Sequence, residues 1–252
     1  MVWSRQGPRL KAIFFDIDDT LFSTTEFAGR ARRNSLEAMI HTGLRIDLDD
    51  LEAELTEIIA EFSSNYDQHF DKLLLRVPRK HYRGVNPAII VAAGVVAYHQ
   101  TKFMELKPYD DVLAVLERLS QVSELVLGVI THGLAVKQSE KLIRLGVYGY
   151  LDANAIFISE QIGISKPNPK LYQRALSDLN LKPAEAMYIG DRPTHDIDPP
   201  NGIGMITVRN RRGRHRDEVG VTEPDFEIDS FNQLEEIVTQ MLKDPSAMKT
   251  ST

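Results

Sequence analysis

KAIFFDIDDTLF, residues 11–22, is the stretch of sequence that decides the fold of this chain. It begins with the apolar run AIFF, which predicts a short strand buried on both faces. Three carboxylates follow at once, Asp16, Asp18 and Asp19. Open α/β sheets bind their ligands at the carboxyl ends of their strands. The density of acids therefore favours a functional site there over a plain acidic turn.

The composition is that of an ordinary globular protein, with 42% hydrophobic and 26% charged residues. A formal net charge of −6 argues against a general nucleic-acid binder, which carries a basic excess. The absence of cysteine excludes disulfides, thiolate metal ligands and a thiol nucleophile. Residues 1–10 lack the apolar core of a signal peptide, and the most apolar later run, 88–98, is too short for a bilayer. We therefore expect a cytoplasmic protein with no membrane partner.

Beyond the opening stretch, the spacing of apolar residues is helical as far as about residue 106. Apolar residues recur every three or four positions over 48–62, which predicts one helix with a buried face. A second helix is expected over 87–103, with a proline at its first position. The basic cluster RVPRKHYR, residues 76–83, lies between them. This block is interpreted as an inserted helical subdomain.

After residue 108 the pattern alternates between strands and helices. Strands are expected at 125–130, 155–159, 186–189, 205–208 and, as an edge strand, 225–228. Helices are expected at 112–119, 134–145, 170–179 and 231–242, and a frayed tail at 244–252. Such alternation predicts an α/β fold with a parallel sheet and right-handed crossovers.

Polar residues also follow the predicted strand 125–130, beginning with Thr131. Its hydroxyl at the carboxyl end of a strand suits a phosphoryl oxygen, although a helix cap is the alternative for a lone threonine. Gly133 allows close approach of the backbone to a ligand. His132, between them, is placed to contact substrate, with a plain turn residue as the alternative.

Two later segments carry further charged candidates. Lys166 precedes a helix whose start is specified by an N-cap Asn168 and Pro169 at its first position. Its ammonium is placed to balance carboxylates and a phosphoryl charge, with a surface lysine as the alternative. Asp191 and Asp196 follow the strand 186–189, and Mg²⁺ prefers such hard oxygen ligands. A solvated acidic loop is the alternative for this pair.

The four segments, in this order, resemble the four motifs of the haloacid dehalogenase superfamily: Asp-x-Asp-x-Thr, a threonine after a strand, Lys-Pro-Asn-Pro, and Gly-Asp-x-x-x-x-Asp. The resemblance extends from residue 11 to about residue 242. It implies a Rossmann-like three-layer core formed by 1–22 and 106–252. The helical block, 23–105, would be a type-one cap domain that closes over small substrates.

The resemblance assigns a role to each acid. Asp16 would be the nucleophile that forms an aspartyl-phosphate, and Asp18 the acid and base that serves the leaving oxygen and then water. Mg²⁺ would be held by Asp16, the backbone carbonyl of Asp18 and Asp191, with Asp196 bound directly or through water.

The resemblance also implies which polar residues bind the substrate. Thr131 and Lys166 would steady the transferring phosphoryl group, and His132 and Gly133 would line the substrate site. In the expected cap, we predict that at least one of Arg79 and Arg83 contacts the non-transferred part of the substrate. For either arginine alone, a solvated loop is the alternative.

The carboxylate at position 18 distinguishes the reactions of this superfamily, because its dehalogenases need no acid to protonate a halide. The resemblance therefore implies a Mg²⁺-dependent phosphatase acting on a small phosphorylated metabolite, such as a sugar phosphate, glyceraldehyde 3-phosphate or phosphoglycolate. The run Ile-Thr-x-Gly-Leu-Ala-Val-Lys looks most like archaeal phosphatases of small esters, including glyceraldehyde-3-phosphate phosphatase. A phosphomutase on the same core and a non-catalytic scaffold stay as alternatives, and the oligomeric state stays open between monomer and homodimer.

Overall fold

The computed structural model describes residues 9–244. The N-terminal segment 1–8 and the expected tail beyond Asp244 lie outside the described residues. The chain divides into two compact units, one with the residues up to Ser23 and from Lys107 onward, the other Thr24–Leu106. The assignment of a catalytic core and a cap to these units stays a prediction.

The first unit is built on one parallel sheet of six strands. The strands are β1 (Ala12–Phe15), β2 (Val126–Thr131), β3 (Ile156–Ile158), β4 (Ala186–Gly190), β5 (Ile206–Asn210) and β6 (Phe226–Ile228). Their order across the sheet is β3-β2-β1-β4-β5-β6, and every neighbouring pair is parallel. The predicted α/β fold, its parallel sheet and its edge strand β6 are therefore confirmed.

The α-helices of the described residues flank this sheet in the first unit and make up the second. They are α1 (Thr24–His41), α2 (Leu48–Phe62), α3 (His69–Arg76), α4 (Pro87–Glu105), α5 (Val112–Ser120), α6 (Ala135–Arg144), α7 (Ser159–Ile162), α8 (Pro169–Asp178), α9 (Asp198–Gly202) and α10 (Phe231–Lys243). Between residues 9 and 244, no helix combines the length and the apolar character that crossing a membrane requires.

Strand β1 lies at the centre of the sheet, between β2 and β4, and its four residues are fully buried. Phe14 belongs to a buried cluster that includes Tyr172 and Tyr188. Phe15 stacks on Phe231 of α10, with ring centroids 5.8 Å apart. Burial of both faces explains why the segment is a continuous apolar run rather than an alternating one.

The strand order places a topological switch point between β1 and β4. From β1 the chain proceeds outward to β2 and β3, whereas β4 to β6 extend in the opposite direction. In open α/β sheets the crevice at such a point, outside the carboxyl ends of the strands, is where ligands bind. Residues that directly follow β1, β2 and β4 are therefore brought to one edge of the sheet.

The second unit consists of α1 to α4 and a 3₁₀ turn, Arg79–Tyr82. Helix α2 has the predicted bounds, and its N-cap residue Asp47 accepts a hydrogen bond from the Asp49 amide at 2.9 Å. Helix α4 begins at Pro87 as predicted and ends two residues later than expected, at Glu105. The unit has its own core, which includes Leu36, Met39, Leu55, Ile58 and Ile90.

Candidate active site

Asp16 directly follows β1 and is buried, with its amide donating to the Ile189 carbonyl of β4 at 2.8 Å. The chain then turns sharply, and the Leu21 amide donates to the Ile17 carbonyl at 3.0 Å. Asp19 within this turn has a φ of 54°, a left-handed conformation that aspartate tolerates better than most residues. The acid-rich sequence after β1 therefore serves two needs, a turn and a set of carboxylates at the sheet edge.

Three buried carboxylates meet at this edge around one buried lysine. Asp16, Asp191 and Asp196 each offer an oxygen, and these atoms lie within 4.8 Å of one another. The Lys166 ammonium lies 2.7 Å from Asp16 Oδ1 and 2.8 Å from Asp196 Oδ1, with its side chain only 3% exposed. A buried lysine in this position is a component of the site, and the surface-lysine alternative is wrong.

The Gly-Asp pair after β4 has a steric explanation. A Cβ atom at Gly190 would lie 2.4 Å from Asp196 Cγ, so only glycine allows the Asp196 carboxyl to fold back over the strand end. Asp196 lies in a single π-helical turn, Pro193–Ile197, and its Oδ2 accepts a hydrogen bond from the Arg192 amide at 3.0 Å. Both oxygens of Asp196 therefore already have protein partners, Lys166 and Arg192.

Asp191 differs from Asp196 in having an unsatisfied oxygen. Within residues 9–244, its buried Oδ2 has no hydrogen-bond partner. A Cβ atom at Gly213 would lie only 2.5 Å from this oxygen, so glycine keeps the loop backbone close to Asp191. A buried, unpaired carboxylate oxygen among other carboxylates is a natural ligand for a hard cation.

The electrostatics of the cluster also favour a bound cation. Burial raises the pKa of Asp16 to about 7, although the Lys166 charge lowers it. Burial and the Asp196 and Asp16 charges raise the pKa of Asp191 to about 9. Burial opposes the charge on Lys166, but the two carboxylates beside it outweigh this effect and raise its pKa. One ammonium is too little positive charge for this set of acids, and a divalent ion would supply more.

Thr131 ends β2, next to β1, and is fully buried. Its Oγ1 has no hydrogen-bond partner in the described part of the chain, so the hydroxyl is not used as a helix cap there. A buried hydroxyl without a partner is costly, and a ligand oxygen at the sheet edge would satisfy it.

The two residues after Thr131 are fixed by neighbouring loops. His132 Nδ1 is hydrogen-bonded to the Ser165 hydroxyl, and burial, followed by the Lys166 charge, lowers the pKa of the imidazole. Gly133 has a φ of +142°, and its amide donates to Ser159 Oγ at 2.9 Å. The positive φ of Gly133 is by itself a reason for glycine at this position. The substrate contacts expected of His132 and Gly133 stay a prediction.

Tyr188 supports Lys166 from β4 and was not recognised from the sequence as part of the site. Its hydroxyl accepts a hydrogen bond from Lys166 Nζ and donates to the Ile130 carbonyl at 2.8 Å. A tyrosine within a strand that is buried on both faces could have indicated this role, because a buried hydroxyl group needs a hydrogen-bond partner.

Asp18 has partners that the sequence did not reveal either. Lys141 Nζ lies 2.6 Å and 2.7 Å from the two carboxylate oxygens of Asp18. Gln138 Nε2 donates to Asp18 Oδ2 at 3.0 Å. Both partners lie on α6, more than a hundred residues along the chain from Asp18.

The basic cluster 76–83 of the second unit is not uniform. Arg76 donates to Glu54 Oε1 at 2.8 Å and also bonds Glu61, so it joins α3 to α2. Arg79 and Arg83 are exposed at the 3₁₀ turn and its end. Arg76 therefore has a structural function, whereas the substrate contact expected of Arg79 or Arg83 stays a prediction.

Comparison with known proteins gives matches over nearly the whole chain. A family model described as haloacid dehalogenase-like hydrolase matches residues 10–204. A glyceraldehyde 3-phosphate phosphatase of Methanopyrus kandleri is 46% identical over 241 residues, covering 93% of this chain and 100% of the relative. The protein of the same name from Methanocaldococcus jannaschii is 40% identical over 235 residues, covering 93% of this chain and 100% of the relative.

Solved structures with a similar fold are more distant in sequence. A haloacid dehalogenase-like family hydrolase from Xanthomonas campestris has a TM-score of 0.66 at 19% identity, covering 94% of this chain and 98% of its own. The HAD-hydrolase YfnB from Bacillus subtilis, solved bound to magnesium, has a TM-score of 0.61 at 19% identity, covering 91% and 99%. At these identities the structures demonstrate a shared fold alone.

Proposed function

The chain belongs to the haloacid dehalogenase-like hydrolases, as its four motifs indicated, and on this premise we propose that it is a Mg²⁺-dependent phosphatase of a small phosphomonoester. The observation that carries the proposal is the buried set of Asp16, Asp191 and Asp196 around Lys166. Two further atoms of the sheet edge, Asp191 Oδ2 and Thr131 Oγ1, have no partner among the described residues. They suit a cation and a phosphoryl oxygen, respectively.

The donor set fits Mg²⁺, because all the available ligand atoms are oxygens and the cluster carries an excess of negative charge. Asp16, the backbone carbonyl of Asp18 and Asp191 would hold the ion directly. Asp196 would act through water, because both of its oxygens already bond to protein groups. The bound ion would offset the carboxylates that otherwise repel an anionic substrate.

The proposed reaction consists of two displacements at phosphorus, the first by Asp16 and the second by water. The Asp16 carboxylate attacks phosphorus, and the bond to the ester oxygen breaks while Asp18 gives that oxygen a proton. Asp18, now a carboxylate, then takes a proton from water, which attacks the phosphorus of the aspartyl-phosphate. Phosphate leaves and Asp16 is regenerated. Lys166 and Thr131 donate to phosphoryl oxygens during both steps, where their preset positions stabilise developing charge.

The proposed substrate is glyceraldehyde 3-phosphate or a phosphorylated metabolite of similar size. The relatives bearing that name match this chain over their whole length at 40% and 46% identity, which supports the substrate class. Phosphoglycolate and sugar phosphates belong to the same class of small, polar esters. Arg79 or Arg83 of the second unit remains our proposed contact with the part of the substrate that is not transferred.

The test is phosphate release from a panel of these esters, with glyceraldehyde 3-phosphate first, in the presence of Mg²⁺. We expect multiple turnovers that are abolished by a chelator and by Asp16→Asn, and retained in Asp178→Asn, a matched change at an exposed aspartate of α8. Release that survives Asp16→Asn or excess chelator would disprove the mechanism. Transfer of the phosphoryl group to a sugar, without free phosphate, would establish the phosphomutase instead.

A further inference from the structure

Helix α6 presents two side chains, Gln138 and Lys141, to the carboxylate of Asp18. The Lys141 ammonium contacts both carboxylate oxygens, at 2.6 Å and 2.7 Å, and the Gln138 amide contacts Oδ2 at 3.0 Å. The two residues are three positions apart, so they lie on the same side of the helix. Three hydrogen bonds therefore reach this carboxylate from a single helix.

These two contacts are themselves held in place. Gln138 is 3% exposed and its amide also donates to the His132 carbonyl. A Cβ atom at residue 133 would lie 2.7 Å from Gln138 Nε2, so Gly133 makes room for this amide. The Lys141 ammonium also lies over the Phe22 ring, 5.8 Å from its centroid.

An ordinary surface ion pair explains this arrangement poorly. Exposed pairs contribute little, because two long side chains must be ordered in water. Here the side chains of Lys141 and Asp18 are only 20% and 30% exposed, and Gln138 joins the pair with a third hydrogen bond. The acid that receives this support is the one assigned to proton transfer, which requires a carboxyl group within hydrogen-bond reach of the reacting oxygen.

We propose that Lys141, assisted by Gln138, is a positioning residue that orients Asp18 for both proton transfers. The inference rests on the proposed phosphatase function and adds to it. In the first step, the proton passes from the Asp18 carboxyl to the departing ester oxygen. In the second, it passes from water to the Asp18 carboxylate. Lys141 exchanges no proton in either step and acts only through the Asp18 carboxyl group.

Comparing the turnover of two esters with different leaving groups distinguishes a positioning role of Lys141 from a general loss of structure in the variant. An alkyl phosphate such as glyceraldehyde 3-phosphate needs a proton on its leaving oxygen, whereas p-nitrophenolate departs without one. In Lys141→Met we expect kcat for the alkyl ester to fall about tenfold or more, with the roughly 10²- to 10⁴-fold contribution of general acid catalysis as the upper limit. With p-nitrophenyl phosphate we expect a burst of p-nitrophenolate at the wild-type rate, then slow turnover, because water attack on the intermediate still needs Asp18.

Three controls accompany this measurement. Lys141→Arg, which keeps a charged donor, should recover a large part of the alkyl-ester kcat. Lys170→Met, the same change at an exposed position of α8, should behave as wild type. In an Asp18→Asn background, Lys141→Met should cost almost nothing further, because a residue that acts through Asp18 has no effect once Asp18 cannot transfer protons.

The outcomes are distinguishable from failure of the phosphatase proposal itself. If the wild-type protein releases no phosphate, the proposed function fails. If wild type depends on Asp16 but Lys141→Met lowers the alkyl-ester turnover and the p-nitrophenolate burst equally, or lowers neither, the positioning role is overturned. Additive losses in the Asp18→Asn background overturn it as well, and this comparison holds even where the single variant is less stable.

Discussion

Replacing Gly213 by alanine introduces a methyl group beside the proposed metal ligand Asp191 without removing any charge. The added Cβ would lie 2.5 Å from Asp191 Oδ2 and 2.8 Å from Asp19 Cβ, where ordinary contacts begin at 3.4 Å. Residue 213 does not need a left-handed backbone, so alanine introduces crowding alone. Asp191 or the loop must then move by about 1 Å to restore a normal van der Waals distance.

Such a shift matters because Mg²⁺ demands near-ideal geometry, with oxygens at roughly 2.0–2.1 Å. Changes to groups that support metal ligands cost about 10- to 100-fold in metal affinity, and we expect Gly213→Ala to fall in this range. The assay is calorimetric titration with Mg²⁺, together with the Mg²⁺ dependence of phosphate release.

Gly149→Ala is the matched control, because a Cβ at that glycine would meet nothing within 4 Å. It should leave the Mg²⁺ affinity unchanged. If Gly213→Ala bound Mg²⁺ as tightly as Gly149→Ala, Asp191 Oδ2 would not be held at the metal in the way we infer.

Three further predictions concern support of the site and of the fold. Tyr188→Phe removes the buried hydroxyl that accepts from Lys166 and donates to the Ile130 carbonyl, so unfolding in urea should show a loss of about 1–3 kcal/mol with a reduced kcat. An unchanged stability would contradict the assignment. In the metal-free protein, Asp16 and Asp191 have folded-state pKa values of about 7 and about 9, above the ordinary 3.8. An acid whose pKa is raised by folding stabilises the folded protein at low pH, and this stabilisation is lost as the pH rises through the folded-state pKa. Mg²⁺ binds the ionised carboxylates, so the rise in Tm caused by Mg²⁺ should grow between about pH 6 and about pH 9. A rise that is the same at every pH would argue against this assignment. Asp47→Ala removes the N-cap of α2 and should cost about 1 kcal/mol of unfolding free energy without changing kcat.

The sequence predicted the strand ends well because each depends on local information. A continuous apolar run followed at once by acids or by Thr131 specifies β1, β2 and β4 to within a residue or two. The start of α8 is similarly local, and the predicted N-cap Asn168 accepts a hydrogen bond from the Lys170 amide at 3.0 Å. Because parallel strands bring their carboxyl ends together, these local patterns sufficed to place the carboxylates at one edge.

Side-chain contacts between segments distant in the chain could not be predicted from such local patterns. Tyr188 is 22 residues from Lys166, and Lys141 is 123 residues from Asp18, so nothing in the local pattern links the members of either pair. Helix α1 was not delimited from the sequence either, because small residues such as Ala31 and Ser35 form part of its buried face. They give a weaker periodic signal than the leucines and isoleucines of α2.

The most direct test of the account is whether phosphate becomes attached to Asp16 during turnover. The protein would be mixed with glyceraldehyde 3-phosphate and Mg²⁺, quenched in acid within one turnover, digested, and analysed by mass spectrometry of the peptide from β1. We predict a phosphorylated peptide with the added group on Asp16, absent when Mg²⁺ is chelated. Phosphate release at the normal rate with Asp16 never modified would contradict the nucleophilic role assigned to this residue.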